Sequence, residues 1–203
     1  MRTVAVLCCS GRSIYKYLPG VEAYDSKRDA RTFGANMPAV AHPPCRCWSK
    51  YLRHFAKPID AEAEMELGRW CVRTVLQCGG VLEQPAGSHL WKEMNLPMPD
   101  RPAQDCFTIY VEQGWFGYAS RKPTWVLVSG VPINQVPPLP INQVPPLPFS
   151  LAQTRAKSLA LSQAGRSRSV TPFAQWLVET ARRANPSGLN AISPVRHAIA
   201  GAV

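Results

Sequence analysis

The chain has 203 residues, is 46% hydrophobic and carries a formal net charge of +10. That length supports one α/β domain with a full core and an extension, and excludes two large domains. No apolar run approaches the roughly 20 residues needed to cross a bilayer, and Met1-Arg2-Thr3-Val4 leads directly into a strand-like segment rather than a signal peptide, so a cytoplasmic protein without membrane contact is expected.

In chain order, Thr3 to Cys8 predicts a buried first strand, Val21 to Asp25 a second that ends at an acid, and Val40 to His42 a third. A helix is predicted from Asp60 to Gln77. Its acidic opening (Asp60, Glu62, Glu64, Glu66) complements the dipole, and Leu67, Trp70, Cys71, Thr74 and Val75 fall at helical spacing. Gly79-Gly80 supplies its cap. Val81 to Glu83 predicts a short strand, and Trp125 to Ser129 another after a Pro-rich, aromatic connection. Alternation of strand and helix implies a doubly wound, mostly parallel sheet.

Residues 133–140 and 141–148 repeat the octapeptide Ile-Asn-Gln-Val-Pro-Pro-Leu-Pro. Two copies are too few for a solenoid and fit an extended, duplicated linker. The chain is thus divided into an α/β catalytic-like core (1–130), a Pro-rich linker (131–150), a C-terminal helical segment packing back on the core (151–185) and a flexible tail (186–203). Within the third part, Ser150 to Gly165 predicts a helix and Arg166 to Ser169 a basic loop. Thr171 then serves as N-cap, and Pro172 begins an amphipathic helix through Ala181.

Seven cysteines, an odd number, are scattered partly inside apolar segments, which argues against a disulfide framework. His42, Cys45, Cys47 and His54 suggest a zinc site, but Cys-x-Cys is poor tetrahedral spacing, and no metal is expected. The aromatic group Trp91, Trp115, Phe116, Tyr118 and Trp125 reads as core rather than as a stacking platform. Charge is uneven: from Arg121 onward nine Lys and Arg face the single acid Glu179, whereas the first 120 residues hold fourteen against twelve. Such a segment suits a polyanion, and Arg166 and Arg168, just ahead of a helix start, are the candidate phosphate contacts.

The stretch His42-Pro43-Pro44-Cys45 carries the most chemistry. Two prolines withhold backbone donors and fix the turn, so Cys45 is presented at a strand end, where open α/β sheets bind ligands and where a thiolate can attack an electrophilic carbon.

Taken in order, these landmarks resemble the cytosine-C5 DNA methyltransferases, in particular their short, divergent phage and prophage relatives. Pro44-Cys45 with Trp48-Ser49 resembles the catalytic Pro-Cys loop, and Val81-Leu82-Glu83-Gln84-Pro85-Ala86-Gly87 the strand bearing Glu-Asn-Val-x-Gly. Phe116-Gly117 with Arg121 is similar to the segment whose arginine contacts the target base. Ser169-Val170-Thr171-Pro172 resembles the closing Asn-Ser-Val-x-Pro motif. The resemblance implies a methyltransferase-like Rossmann variant acting on a pyrimidine in nucleic acid, DNA foremost, with Cys45 adding at C6. Glu83 would hydrogen-bond N3 and the exocyclic group, and Arg121 would hold O2. It also implies S-adenosylmethionine as methyl donor, with Ser10, Gly11, Asp25 and Thr171 as its contacts.

The chain departs from that pattern. Cys8-Cys9-Ser10-Gly11-Arg12-Ser13 has one glycine and an arginine where the family has Phe-x-Gly-x-Gly, only Gly11 to Gly20 separate the first two strands, and the target-recognition region is reduced to the Pro-rich repeat. Two functions follow: a pyrimidine-modifying enzyme in the host cytoplasm, if phage-encoded, or a non-catalytic descendant that binds nucleic acid or a host defence protein.

Overall fold

A computed structural model describes residues 1–49, 58–101, 105–118, 122–141 and 170–185. Six strands form one sheet in the order β2-β1-β3-β4-β6-β5: β1 (Val4–Leu7), β2 (Val21–Ala23), β3 (Ala39–Ala41), β4 (Gly80–Pro85), β5 (Cys106–Glu112) and β6 (Pro123–Ser129). Among the described residues the α-helices are α1 (Pro58–Cys78), the short α2 (His89–Glu93) and α3 (Thr171–Arg182). The class is α/β with a mixed, mostly parallel sheet.

Strand alternation builds the layers. Val4, Val6, Val40, Val81, Val126 and Val128 project to one face, where Phe173, Leu177 and Ala181 of α3 cover them. Ala5, Leu7, Ala39, Ala41, Leu82 and Leu127 project to the other, against Cys71, Val72 and Val75 of α1. Phe173 and Leu177 are fully buried, each contributing about 1.5–3 kcal/mol by leaving water. Arg182 and Arg2 then tie the ends together: the Arg182 guanidinium donates to the carbonyls of Arg2 and Pro19, and Arg2 donates to Ala184 O.

Gly79 closes α1 in a left-handed conformation (φ 76°), its N–H donating to Val75 O at 2.9 Å. Gly80 is already the first residue of β4, where a Cβ would lie 2.0 Å from Ala39 O. A side chain there would prise β4 from β3.

Three features differ from the sequence expectation. Residues 106–112, read as connection, form the edge strand β5. Strand β6 runs antiparallel to both β4 and β5, because the short connection from β5 cannot hold a crossover helix. Finally, Val170 rather than Thr171 occupies the N-cap, with extended dihedrals and no side-chain cap bond; its carbonyl accepts the first helical bond from Ala174 N at 3.0 Å, which leaves Thr171 inside the helix.

Candidate active site

Strand β1 lies between β2 and β3, so the chain leaves β1 toward one side of the sheet and returns on the other. Loops diverging from such a switch point leave a crevice outside the carboxyl ends of the strands. A cavity of about 580 Å³ occupies it. The segment after β1 lines it with Cys8, Cys9, Ser10 and Arg12, and the segment after β3 with His42 to Cys45. Glu83 and Gln84 enter from β4. Because β6 is reversed, the residue preceding it, Lys122, reaches the same edge.

Cys45 is held by a clamp rather than by its neighbours' side chains. Gln84 Nε2 donates to Pro43 O at 2.6 Å, and Ser88 Oγ donates to Gln84 Oε1 at 3.3 Å, all within buried structure. Beyond the thiol the chain turns tightly, Trp48 N and Ser49 N both donating to Cys45 O. The neighbouring Arg46 points away, its guanidinium donating twice to Glu64 of α1 at 2.7 and 3.3 Å, and Cys47 Sγ donates to the same carboxylate at 3.2 Å.

Glu83 ends a polar chain. Tyr15 Oη lies 2.8 Å from His42 Nε2, and His42 Nδ1 lies 3.1 Å from Glu83 Oε2. With the imidazole neutral, Tyr15 donates to Nε2 and Nδ1–H donates to the carboxylate. The other oxygen, Oε1, accepts from Gln113 Nε2 at 3.2 Å, and that amide also donates to Thr124 Oγ1 at 3.1 Å. Burial pushes the Glu83 carboxyl up. The His42 hydrogen bond and the Lys122 charge outweigh it and hold Glu83 below the ordinary carboxylate range. Glu83 is therefore an acceptor at neutral pH.

A thiolate at Cys45 is disfavoured in the resting cleft. Burial and the Glu83 charge raise its pKa, and Lys122 opposes them. Acidification of a nucleophilic cysteine calls for a neighbour such as Arg46, His42 or a helix N-terminus; here Arg46 is spent on Glu64, and His42 serves the carboxylate that works against the thiolate.

The β1 side differs. Of the four residues assigned to a methyl donor, Ser10 alone lines the cavity among the described residues. Asp25 closes its own turn: its carboxylate pairs with Lys16 and accepts from Lys27 N at 2.8 Å and Arg28 N at 3.2 Å. The Lys16 ammonium and those amides hold its pKa down to about 2. Gly11 sits beside that turn, and Thr171 is exposed at the start of α3. At the end of β1 the left-handed position is taken by Cys8 (φ 60°) rather than a glycine. The residues present do not fit S-adenosylmethionine, a sulfonium cation: its ribose acid is occupied, its close-approach glycine is absent, and Arg12 and Lys122 bring positive charge to the cavity.

Arg121, Arg166, Arg168 and His54, the predicted helix 150–165 and the tail 186–203 lie outside the described residues. Two other C-terminal cations are spent on the fold: Arg182 and Arg183 both pair with Glu179, and Arg183 also donates to Gln135 O. No cluster of three metal-ligating side chains occurs among the described residues, and no helix there is long and apolar enough to cross a membrane. The sequence singled out neither Tyr15 nor Gln113 nor Lys122; Lys122 adjoins Arg121, which was its one signal.

Compared with known proteins, the chain matches no family model, no curated protein and no solved structure.

Proposed function

We propose that this chain is a cytosine-C5 DNA methyltransferase-like protein of phage or prophage type, which takes a pyrimidine base of nucleic acid into the cleft and adds the Cys45 sulfur to C6. The observation that carries this reading is the meeting of Cys45 and Glu83, from two different strands, in one cavity at the carboxyl edge. In the covalent step Cys45 releases its thiol proton to solvent, sulfur bonds to C6, and the electron pair of the C5–C6 double bond moves to C5. C5 then takes a proton from water. Loss of the original C5 hydrogen and expulsion of sulfur regenerate the base.

Glu83, ionised and fixed by His42 and Gln113, accepts from an exocyclic amine and orients the ring. Negative charge arising on the ring falls to Lys122, not to Glu83, to stabilise. In this reading the sheet is a methyltransferase-like doubly wound variant, and its target-recognition region has shrunk to the Pro-rich linker.

Exchange of the C5 hydrogen needs no methyl donor, so it isolates this chemistry. In deuterated water, deoxycytidine in a single-stranded oligonucleotide should acquire deuterium at C5 with the native chain and not with Cys45→Ala. A second reading rests on the raised Cys45 pKa: a non-catalytic descendant that binds nucleic acid or a host defence protein. Tight oligonucleotide binding with no exchange establishes that reading and removes the first.

A further inference from the structure

Two cations flank the cleft from either side of its floor. Arg12 enters from the loop after β1 and Lys122 from the segment before β6, with β3 and β4 between them. Among the described residues Arg12 makes no hydrogen bond or ion pair. The Lys122 ammonium lies 5.2 Å from the centre of the Tyr118 ring and is in hydrogen-bond contact with no described carboxylate. Glu83 is the one carboxylate among the described lining residues, and both its oxygens are already engaged by His42 and Gln113. The cavity thus carries two cations against one carboxylate, and on the β1 side Arg12 stands with two hydroxyls, Ser10 and Ser13, whose turn is closed by Ser13 N donating to Ser10 O at 3.0 Å. A guanidinium fork with hydroxyl donors suits a tetrahedral oxyanion and repels a sulfonium.

We propose that Arg12, Ser10 and Ser13 form a phosphate subsite, which holds the phosphate of a nucleotide whose base faces Cys45 and Glu83, with Lys122 on the far side of that base. The base half of this statement rests on the proposed pyrimidine reading, and the phosphate half does not. A cavity of about 580 Å³ falls within the roughly 300–1,000 Å³ of small-molecule sites. The phosphate belongs either to a free nucleotide or to a nucleic-acid backbone.

Calorimetric titration of the full chain at low salt with deoxycytidine, dCMP, dAMP, a short oligodeoxycytidine and S-adenosylmethionine tests it. Binding of dCMP should be at least about tenfold tighter than that of deoxycytidine, and the variant Arg12→Ala should erase the difference. An oligonucleotide that binds more tightly than dCMP, with the same dependence on Arg12, assigns the phosphate to a polymer; dCMP binding as tightly assigns it to a free nucleotide. If dAMP equals dCMP, the phosphate subsite stands and the pyrimidine reading falls. Equal affinity for dCMP and deoxycytidine overturns the subsite, as does S-adenosylmethionine displaced by dCMP from both native chain and variant.

Discussion

The two halves of the cleft are built on opposite principles. On the β3–β4 side nearly every polar atom is spoken for: Gln84 clamps Pro43, His42 joins Tyr15 to Glu83, and Gln113 takes the remaining carboxylate oxygen. On the β1 side Arg12 is free among the described residues, a cysteine occupies the left-handed position, and the acid Asp25 is folded into its own turn. A rigid, prearranged half is what covalent chemistry at a ring requires, and an open cationic half is what anion capture requires. The difference teaches that one side can keep a reaction's geometry while the other exchanges its ligand.

The sharpest break in that contrast is removal of the sulfur. Cys45→Ala should lower C5 hydrogen exchange on the order of 10³-fold or more, measured by mass spectrometry, while the fold stays intact. Loss of the clamp comes next. Gln84→Ala strands the Pro43 carbonyl in buried structure and should cost about 1–3 kcal/mol in chemical denaturation; Arg12→Ala on the open side should stay within about 0.5 kcal/mol. Equal costs at the two positions would erase the distinction between the halves.

Electrostatic coupling between Glu83 and Cys45 gives a third measurement. Since the Glu83 charge raises the Cys45 pKa, Glu83→Gln should speed iodoacetamide labelling of Cys45 near pH 8 by up to about tenfold, the equivalent of one pKa unit. Slower labelling would reverse the sign. The same carboxyl also shapes acid stability. Its folded pKa is depressed, so its contribution is present above the unfolded value of about 4.3 and is lost as pH falls through the folded value. Thermal scans from about pH 6 down to 3 should show a shallower decline in Glu83→Gln than in the native chain. The smallest effect is expected outside the cleft: Arg166→Ala/Arg168→Ala should weaken oligonucleotide binding uniformly across sequences and reduce the salt slope by about one to two.

Much of the sheet was legible because its central strands are short apolar runs with turn signals at both ends, as in Val4–Leu7 and Val81–Leu82. Strand β5 was not, although Cys106 to Glu112 is rich in aromatic and β-branched residues, because flanking prolines and tryptophans made the whole stretch read as connection. Direction is harder still: the pattern of Trp125 to Ser129 is the same whichever way the strand runs, and only the shortness of the preceding segment encodes the reversal. In the site, Cys45 and Glu83 stood out as motif residues. Their supports did not, since Tyr15 and Gln113 reach them through contacts between residues far apart in the chain, which no local period records. Asp25 shows the converse. It was read as the end of a strand, yet β2 stops at Ala23, two residues earlier, and Asp-Ser-Lys-Arg spells an Asx turn whose local bond wins.

Among the described residues, α3 supplies the helix that covers the valine face of the sheet. Ribosomal synthesis, at about 5–20 residues per second, therefore delivers Val4, Val6, Val40, Val81, Val126 and Val128 well before the helix that covers them. For seconds the nascent chain carries a finished set of strands with one sticky side bare, and a chaperone has something to hold. An early stop or a nick ahead of Thr171 would make that interval permanent, so α3 acts as the signature on a sheet that is otherwise unfinished and prone to aggregate.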